Sequence, residues 1–381
     1  MYGLVKTRIN LSRIRANFLF LKSIAPNPIP VIKADAYGHG LAPVSRTLAR
    51  AGASCFAVGT VDEAVALRQV PFGGEIISLL GPVTKEDYKK IVLYGITPFI
   101  YTWEQMACLA KAAEAAEYIK NNNSNRQISI ALKFDTGMAR LGFTENDVPE
   151  LIHKLGSMPH VRVKMVCSHL ATADDPEARE FVLTQGKKFD AICLSLRKGG
   201  MTFARVLVNS AGILAYPELH FDGQRPGISL YGSNPFWGTR WEAKGQGLLP
   251  AMEVMAPILS IHELARGQTI SYGQTFTAPR DMQVAIVACG YADNYSRSLS
   301  NKGWMLVHGK RAPVIGRVCM QLTAIDITHI PQARPGDQVY VLGGQGKERI
   351  LPEELARWWG TITYEVFCLL GQNNRVYENS S

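Results

Sequence analysis

Between residue 29 and about 230, hydrophobic positions fall in short runs separated by longer stretches with helical spacing. The runs are IPVIKA from Ile29, CFAVGT from Cys55, EIISLL from Glu75, TPFIYT from Thr97, ISIALKFD from Ile128, VRVKMVCSH from Val161, RVLVNS from Arg205 and HFDGQRPG from His220. Several are apolar throughout rather than alternating, as parallel strands buried on both faces are. The eighth is short and polar. The intervening stretches carry helix-start signals: T-V-D-E at 60–63 and T-W-E-Q at 102–105 read as capping boxes. After the second, Met106, Leu109, Ala113 and Ala116 share one face, and the asparagines at 121–123 stop the helix. Eight strand–helix units imply right-handed parallel crossovers that close on themselves, an α/β fold with a (β/α)8 barrel of TIM type. A doubly wound open sheet is the alternative, but no G-x-G-x-x-G follows the first run.

After Gly245 the pattern changes. Strand-like runs follow one another without helices: VMAPILSIHEL, TISYGQTFTA, QVAIVACGY, WMLVHG and QVYVLGG, punctuated by Pro and Gly. One helix over 352–359 precedes the final TITYEVFCLLG. The chain therefore divides into an N-terminal barrel, 1–244, and a mainly-β domain, 245–381.

Composition narrows the function classes. At 381 residues, 47% hydrophobic and 19% charged, the chain is folded and carries a sizeable core. No run of about 18 uncharged apolar residues exists, so no transmembrane helix is expected. Lys6, Arg8, Arg13, Arg15 and Lys22 interrupt the start of the chain, which argues against a signal peptide and for a cytoplasmic location. The net charge of +9 is dispersed, without basic and aromatic residues interleaved, so a nucleic-acid partner is not expected; the excess suits an anionic small substrate. The seven cysteines include no C-x-x-C pair, and neither a disulfide framework nor a metal site is indicated.

Candidate chemistry gathers where barrels place their active sites, at the C-terminal strand ends. The first run ends in Lys33, followed by Tyr37. The fifth carries Lys133 and Asp135, with Arg140 just beyond. The sixth ends in His169, the seventh in Asn209 and Ser210, and the eighth in Arg225, Gly227 and Ile228. Backbone amides and a hydroxyl after strands seven and eight form a phosphate seat. A lysine at the end of an apolar strand has a lowered pKa and nucleophilic character. A phosphate seat facing such a lysine suggests pyridoxal phosphate held as a Schiff base; a barrel using its lysine on another carbonyl substrate has the same pattern. Each residue also has a bland reading: Lys33 as a solvated rim lysine, His169 as a satisfied core histidine, Arg225 as a structural partner of Asp222.

V-I-K-A-D-A-Y-G-H-G (31–40) closely resembles the cofactor-lysine motif of bacterial alanine racemases. So do K-F-D-T-G-M-A-R-L-G (133–142), S-H-L-A-T-A-D (168–174), N-S-A (209–211), R-P-G-I-S-L-Y-G (225–232), S-Y-G-Q-T-F (271–276), G-Y-A-D-N-Y (290–295), G-R-V-C-M (316–320) and T-I-T-Y-E (361–365). These nine matches in family order span nearly the whole chain. The resemblance implies a barrel, a C-terminal β domain and a head-to-tail homodimer with shared sites. It implies that Lys33 binds pyridoxal 5'-phosphate and serves one face of Cα, while Tyr272 serves the other face in the partner subunit's site. It implies phosphate contacts from Tyr37, Ser210, Gly227, Ile228 and Tyr364, and Arg225 at the pyridine nitrogen, with His169 relaying between Arg225 and Tyr272. Arg140 and the backbone at Met320 would hold the substrate, Tyr291 would line the entrance, and Lys133 matches a position that is often carbamylated.

Racemisation needs one base on each face of Cα, and both groups must titrate well below their free values near ~10. Arginine keeps its proton, so Arg225 would leave the cofactor a weak electron sink. One departure stands out: Gln321 occupies a position where many family members carry aspartate, near the substrate carboxylate. The implied function is interconversion of L- and D-alanine, supplying peptidoglycan, with a broader range such as serine as the alternative. A decarboxylase of similar design is a second enzyme reading, and a non-catalytic cofactor-carrying barrel a third.

Overall fold

The structure, a computed structural model, describes residues 3–120, 127–344 and 346–378, without the side chains of 116–120. Its first strand, β1 (Lys6–Asn10), leads into a helix over Leu11–Ile24 that Asn10 caps by accepting from the Arg13 amide at 2.9 Å. Six parallel strands follow in sequence order: β2 (Cys55–Val58), β3 (Glu75–Ser78), β4 (Thr97–Ile100), β5 (Ile128–Lys133), β6 (Val161–Cys167) and β7 (Ala204–Val206). Helices over Val61–Arg68, Lys85–Tyr94, Trp103–Lys120, Val148–Gly156 and Arg179–Lys198 connect them. All four residues of β2 and of β4 are buried, the consequence of helices packed outside and side chains packed inside.

The first and eighth expected strands are reduced to single bridges, and these still close the ring. Gly223 bridges Val206, Gln224 bridges Pro28, and Val31 bridges Ala57. The Ile29 amide donates to Gln224 at 2.6 Å, and the Ile32 amide to Ala57 at 2.8 Å. Pro28 and Pro30 supply no N–H, which keeps this segment from laddering as a full strand. The architecture is thus the expected barrel followed by a strand-rich unit.

The first expected capping box forms in full and the second only in part. Thr60 and Glu63 bond reciprocally at the head of Val61–Arg68. In the second, Gln105 donates its amide to Thr102 but its side chain reaches the Tyr101 amide, one residue earlier than the motif anticipates. Met106, Leu109 and Ala113 are buried as expected; the Ala116 side chain and the asparagines at 121–123 lie outside the described residues.

The second unit is built on β8 (Met252–Leu264), whose two ends serve different partners. Short strands β9 (Thr269–Ile270) and β10 (Phe276–Thr277) pair as a hairpin, where a single run had been expected. Then come β11 (Met282–Val287), β12 (Trp304–Val307), β13 (Lys310–Pro313), β14 (Thr323–Asp326), β15 (Gln338–Leu342) and β16 (Asn374–Glu378). The sheet runs β13-β12-β15-β8-β1-β16, with β11 joining β8 and β14. Here sequence order misleads: β1, at the front of the presumed barrel segment, lies between β8 and β16 in this sheet. The helix over Pro352–Trp359 forms with the expected bounds, and TITYEVFCLLG supplies another over Thr363–Leu370. No described helix is long and apolar enough to cross a membrane.

Candidate active site

Lys33 opens a turn of unusual handedness. Ala34, Asp35, Ala36 and Tyr37 have φ of 51°, 52°, 55° and 53°, four successive L-residues in the left-handed region. Each costs roughly 1–2 kcal/mol there, so the surroundings must hold the turn. Gly38 (φ 77°) ends it, and a Cβ at that position would fall 2.3 Å from the Phe367 carbonyl oxygen. His39 is fully buried behind the turn, its Nδ1 donating to the Tyr37 carbonyl at 2.9 Å and its ring stacked on Tyr231 at 4.4 Å. Burial lowers its pKa to about 4, so the ring is neutral.

The Lys33 side chain is exposed by area, yet its pKa is lowered, first by desolvation and then by Arg140 and Arg225. Both cations act in the same direction as desolvation. Lys133, 7% exposed at the end of β5, donates among the described residues only to the Phe134 carbonyl, at 2.7 Å. Desolvation, then Arg225, lowers its pKa to about 7. Asp135 does not pair with it; Asp135 accepts the Gly137 and Met138 amides at 2.8 and 2.9 Å.

Arg225, 5% exposed, sits inside the barrel mouth. Its Nη2 donates to the carbonyls of Ser168 and Leu207, and its Nη atoms lie 3.5 Å from His169 Nδ1. His169 is therefore an acceptor there, consistent with a pKa held well below 6.5 by desolvation and then by Arg225. Among the described residues Arg225 has no carboxylate partner, and its buried Nε has no hydrogen-bond partner at all. Asp222 instead pairs with Arg205 and Arg197, so the Arg225–Asp222 pair of the bland reading does not form.

Ser210 heads the short helix Ser210–Ala215, which Asn209 caps by accepting the Gly212 amide at 3.0 Å. Ser210 Oγ accepts the Gly227 amide at 2.9 Å and the Ser229 amide at 3.3 Å, leaving its own proton free to donate. A Cβ on Gly227 would lie 2.7 Å from the Tyr37 hydroxyl, so glycine is what lets that phenol come against the backbone. Tyr364, from the last helix, stacks obliquely on Tyr37 at 5.8 Å. Unspent hydroxyl protons, a glycine-opened backbone and an amine beside them fit a phosphate-bearing aldehyde. Four segments, the Lys33 turn, the Ser210 helix, the Gly227 loop and the last helix, thus supply the Tyr37, Ser210, Gly227 and Tyr364 of this corner.

The second unit holds the remaining candidates apart from this cluster. Tyr272 is 72% exposed in a turn after Ser271, which has φ 68° and donates to the Arg317 carbonyl at 2.6 Å. Met320, 59% exposed, and Tyr291 belong to the same surface: the Tyr291 and Ala292 amides donate to Cys319 and Met320. No hydrogen bond or ring contact among the described residues links Tyr272 to Lys33 or to His169, so one chain forms the Arg225–His169 half of the expected relay and not the tyrosine half. Arg140 is exposed just beyond β5. Residues to which sequence reasoning gave no role are Asp35, His39, Glu63 and Arg375, all of which touch the Lys33 turn; Asp35 and His39 lay within the V-I-K-A-D-A-Y-G-H-G motif and Glu63 within a capping box, while Arg375 gave no signal. Among the described residues, no three His, Cys, Asp or Glu side chains are grouped to hold a metal.

The family profile "Alanine racemase, N-terminal domain" matches residues 9–235, and "Alanine racemase, C-terminal domain" matches 251–377. An alanine racemase of Nitratidesulfovibrio vulgaris strain Miyazaki F is 52% identical over 376 residues, covering 99% of this chain and 98% of that one. That of Lawsonia intracellularis is 41% identical over 367 residues, covering 96% and 95%. Among solved structures, alanine racemase from Streptomyces lavendulae superimposes with a TM-score of 0.90 at 31% identity, covering 100% and 98%. That from Bartonella henselae, with covalently bound pyridoxal phosphate, gives 0.86 at 27% identity, covering 99% and 100%. Two profile matches spanning both units, full-length relatives and a barrel mouth built around Lys33 and Arg225 converge: the chain belongs to the alanine racemase family.

Proposed function

We propose that this chain interconverts L- and D-alanine with pyridoxal 5'-phosphate, as a cytoplasmic homodimer whose sites each take Lys33 from one chain and Tyr272 from the other. The observation that carries the reading is Arg225, a buried cation held by backbone carbonyls and His169 with no carboxylate beside it. Arginine does not surrender its proton. Set beside the ring nitrogen of a bound cofactor, Arg225 would give it no proton, which would moderate the electron withdrawal that the cofactor supplies and suit reversible proton exchange at Cα better than decarboxylation.

When bound, pyridoxal phosphate supplies an aldehyde that captures amines and a ring that withdraws electrons from Cα. Ser210, Tyr37, Tyr364 and the backbone at Gly227 and Ile228 would hold the phosphate, and Asn209 keeps the Ser210 helix in place. Lys33 Nζ would hold the aldehyde and move the proton on one face of Cα; its lowered pKa supplies the neutral amine this needs. The Tyr272 phenol oxygen of the second copy would serve the other face. Arg140 and the Met320 backbone would bind the substrate carboxylate, and Tyr291 would line the entrance. Lys133, with its pKa near 7, offers a neutral amine that can add carbon dioxide, releasing a proton and leaving a carbamate to steady Arg140. Two features support the setting. All seven cysteines are unpaired, as in a reducing compartment, and the exposed Tyr272–Tyr291–Met320 surface suits a chain–chain contact. A domain division near residue 245, with β1 joining the β unit's sheet, would give the barrel all of the cofactor contacts but Tyr364 and the β unit the second base.

Incubation with L-alanine in D2O tests the reading. Deuterium at Cα and loss of optical rotation without release of CO2 support it; CO2 and an amine, or no exchange at all, reject it. A wider substrate range is tied to the uncharged Gln321 beside Met320, and rates across a panel of L-amino acids decide it.

A further inference from the structure

Lys33 depends on a left-handed turn, and the question is what fastens it. At the near end, Glu63 reaches across from the helix Val61–Arg68. Its Oε1 accepts the Ala34 amide at 2.6 Å, immediately after the lysine, while Oε2 accepts the Gly59 amide at 2.6 Å and the Thr60 amide at 3.2 Å. At the far end, Asp35 accepts the Leu41 amide at 2.6 Å and pairs with Arg375 of β16, which also donates to the Gly38 carbonyl. A capping box needs only one oxygen of its acid. Glu63 spends the other on the lysine turn.

We propose that Glu63 is a positioning residue for Lys33: it anchors the left-handed turn and so fixes where the amine stands in the barrel mouth. The inference deepens the reading of Lys33 as the cofactor amine and rests on it. Charge adds to geometry. Besides desolvation, the groups acting on the Lys33 amine are Arg140 and Arg225, which lower its pKa, and Glu63 and Cys368, which raise it; Glu63 is the one carboxylate of the four. Glutamine cannot replace it. With one oxygen and one NH2 group, glutamine can accept from the cap amides or from Ala34, and its NH2 then faces an N–H donor.

The test compares the full-length wild type, Glu63→Gln and Thr60→Ala. Thr60→Ala removes the reciprocal cap bond, from the Glu63 amide to Thr60 Oγ1 at 3.1 Å, without touching the Ala34 contact. Three quantities are measured: the pH midpoint of Lys33 acylation by acetic anhydride in cofactor-free chain, followed by peptide mass spectrometry; the rate at which hydroxylamine displaces pyridoxal phosphate from the holoenzyme; and the Tm. Glu63→Gln is expected to lower the acylation midpoint by about half a unit or more and to speed displacement about fivefold. Thr60→Ala is expected to lower the Tm while leaving both Lys33 readouts at wild type. If the two variants differ from wild type only in Tm, Glu63 is a cap and nothing more. Should Glu63→Gln fail to fold, Glu63→Asp keeps the charge but falls a methylene short: an unchanged acylation midpoint with faster displacement supports the proposal, and unchanged displacement overturns it. Were Lys33 not the cofactor amine, borohydride would fix pyridoxal phosphate to a different residue, and the acylation midpoint alone would then decide the role of Glu63.

Discussion

At the barrel mouth, Lys133, Ser210 and Arg225 are each less than a tenth exposed and bonded to backbone or to one another's neighbours. On the surface of the β unit, Tyr272 and Met320 are more than half exposed, and the turn that presents Tyr272 is held from its two ends, through Ser271 and through Asn301 on Thr275. The contrast separates two ways of building a reactive group. In the barrel, burial itself shifts pKa values, and a single chain completes the arrangement. On the β unit, the fold places a phenol on a defined turn but leaves its chemical setting open. Tyrosine becomes a base only when its pKa is brought down from near ~10, which requires cations or hydrogen-bond donors around it. A second copy bringing its Arg225–His169 pair to Tyr272 would supply that setting.

The largest expected effect comes from the barrel side. Lys33→Ala should abolish alanine racemisation, by about a thousandfold or more, with the visible absorption of bound cofactor lost and the Tm little changed, because the side chain is exposed. Tyr272→Phe should cut α-deuterium exchange from one alanine enantiomer by about a hundredfold while cofactor affinity stays at wild type; exchange rates unchanged for both enantiomers would remove Tyr272 from the account.

Lys133 gives the pH prediction. Its folded pKa is about 7, against 10.5 unfolded, so between those values the unfolded chain binds more protons. Burial of the charged form therefore penalises the fold below pH 7, and the penalty is relieved as pH rises from about 7 toward 10.5. Lys133→Met should be more stable than wild type at pH 6 and lose that advantage by pH 10, as read from denaturant midpoints in bicarbonate-free buffer. In wild type, carbon-13 bicarbonate should give a carbamate NMR signal that the variant lacks. The smallest effect is at Gly227: Gly227→Ala pushes a methyl to 2.7 Å from the Tyr37 hydroxyl, and overpacking there should cost about 1–3 kcal/mol and weaken cofactor binding severalfold.

The same contrast governs what could be read from the sequence. Barrel strands and the cluster from Lys33 to Arg225 were legible because each residue follows a local apolar run, and barrel topology brings strand ends together automatically. The first and eighth strands were legible as positions in the ring but not as ladders, since proline-rich and polar segments close it through single bridges. What escaped depends on long-range pairing. β1 lies between strands roughly 250 and 370 residues away, and Arg375 meets Asp35 only because β16 pairs with β1. Glu63 was visible as a cap, but its second oxygen's partner, Ala34, depends on how the first two barrel strands sit side by side. The hairpin β9–β10 read as one strand because Tyr272 and Thr275 favour strands and Gly273 reads as punctuation within the run; the backbone, with Ser271, Gly273 and Gln274 all at positive φ, breaks it into two.

The shared site is tested most directly by complementation. Lys33→Ala and Tyr272→Phe chains, each with a different tag, are co-expressed and the doubly tagged species isolated. A dimer with shared sites then contains one site with both Lys33 and Tyr272 and one with neither, so each mixed dimer should recover about half of wild-type racemase activity. A mixed species as inactive as either variant alone would contradict the account, because it would place both bases on a single chain.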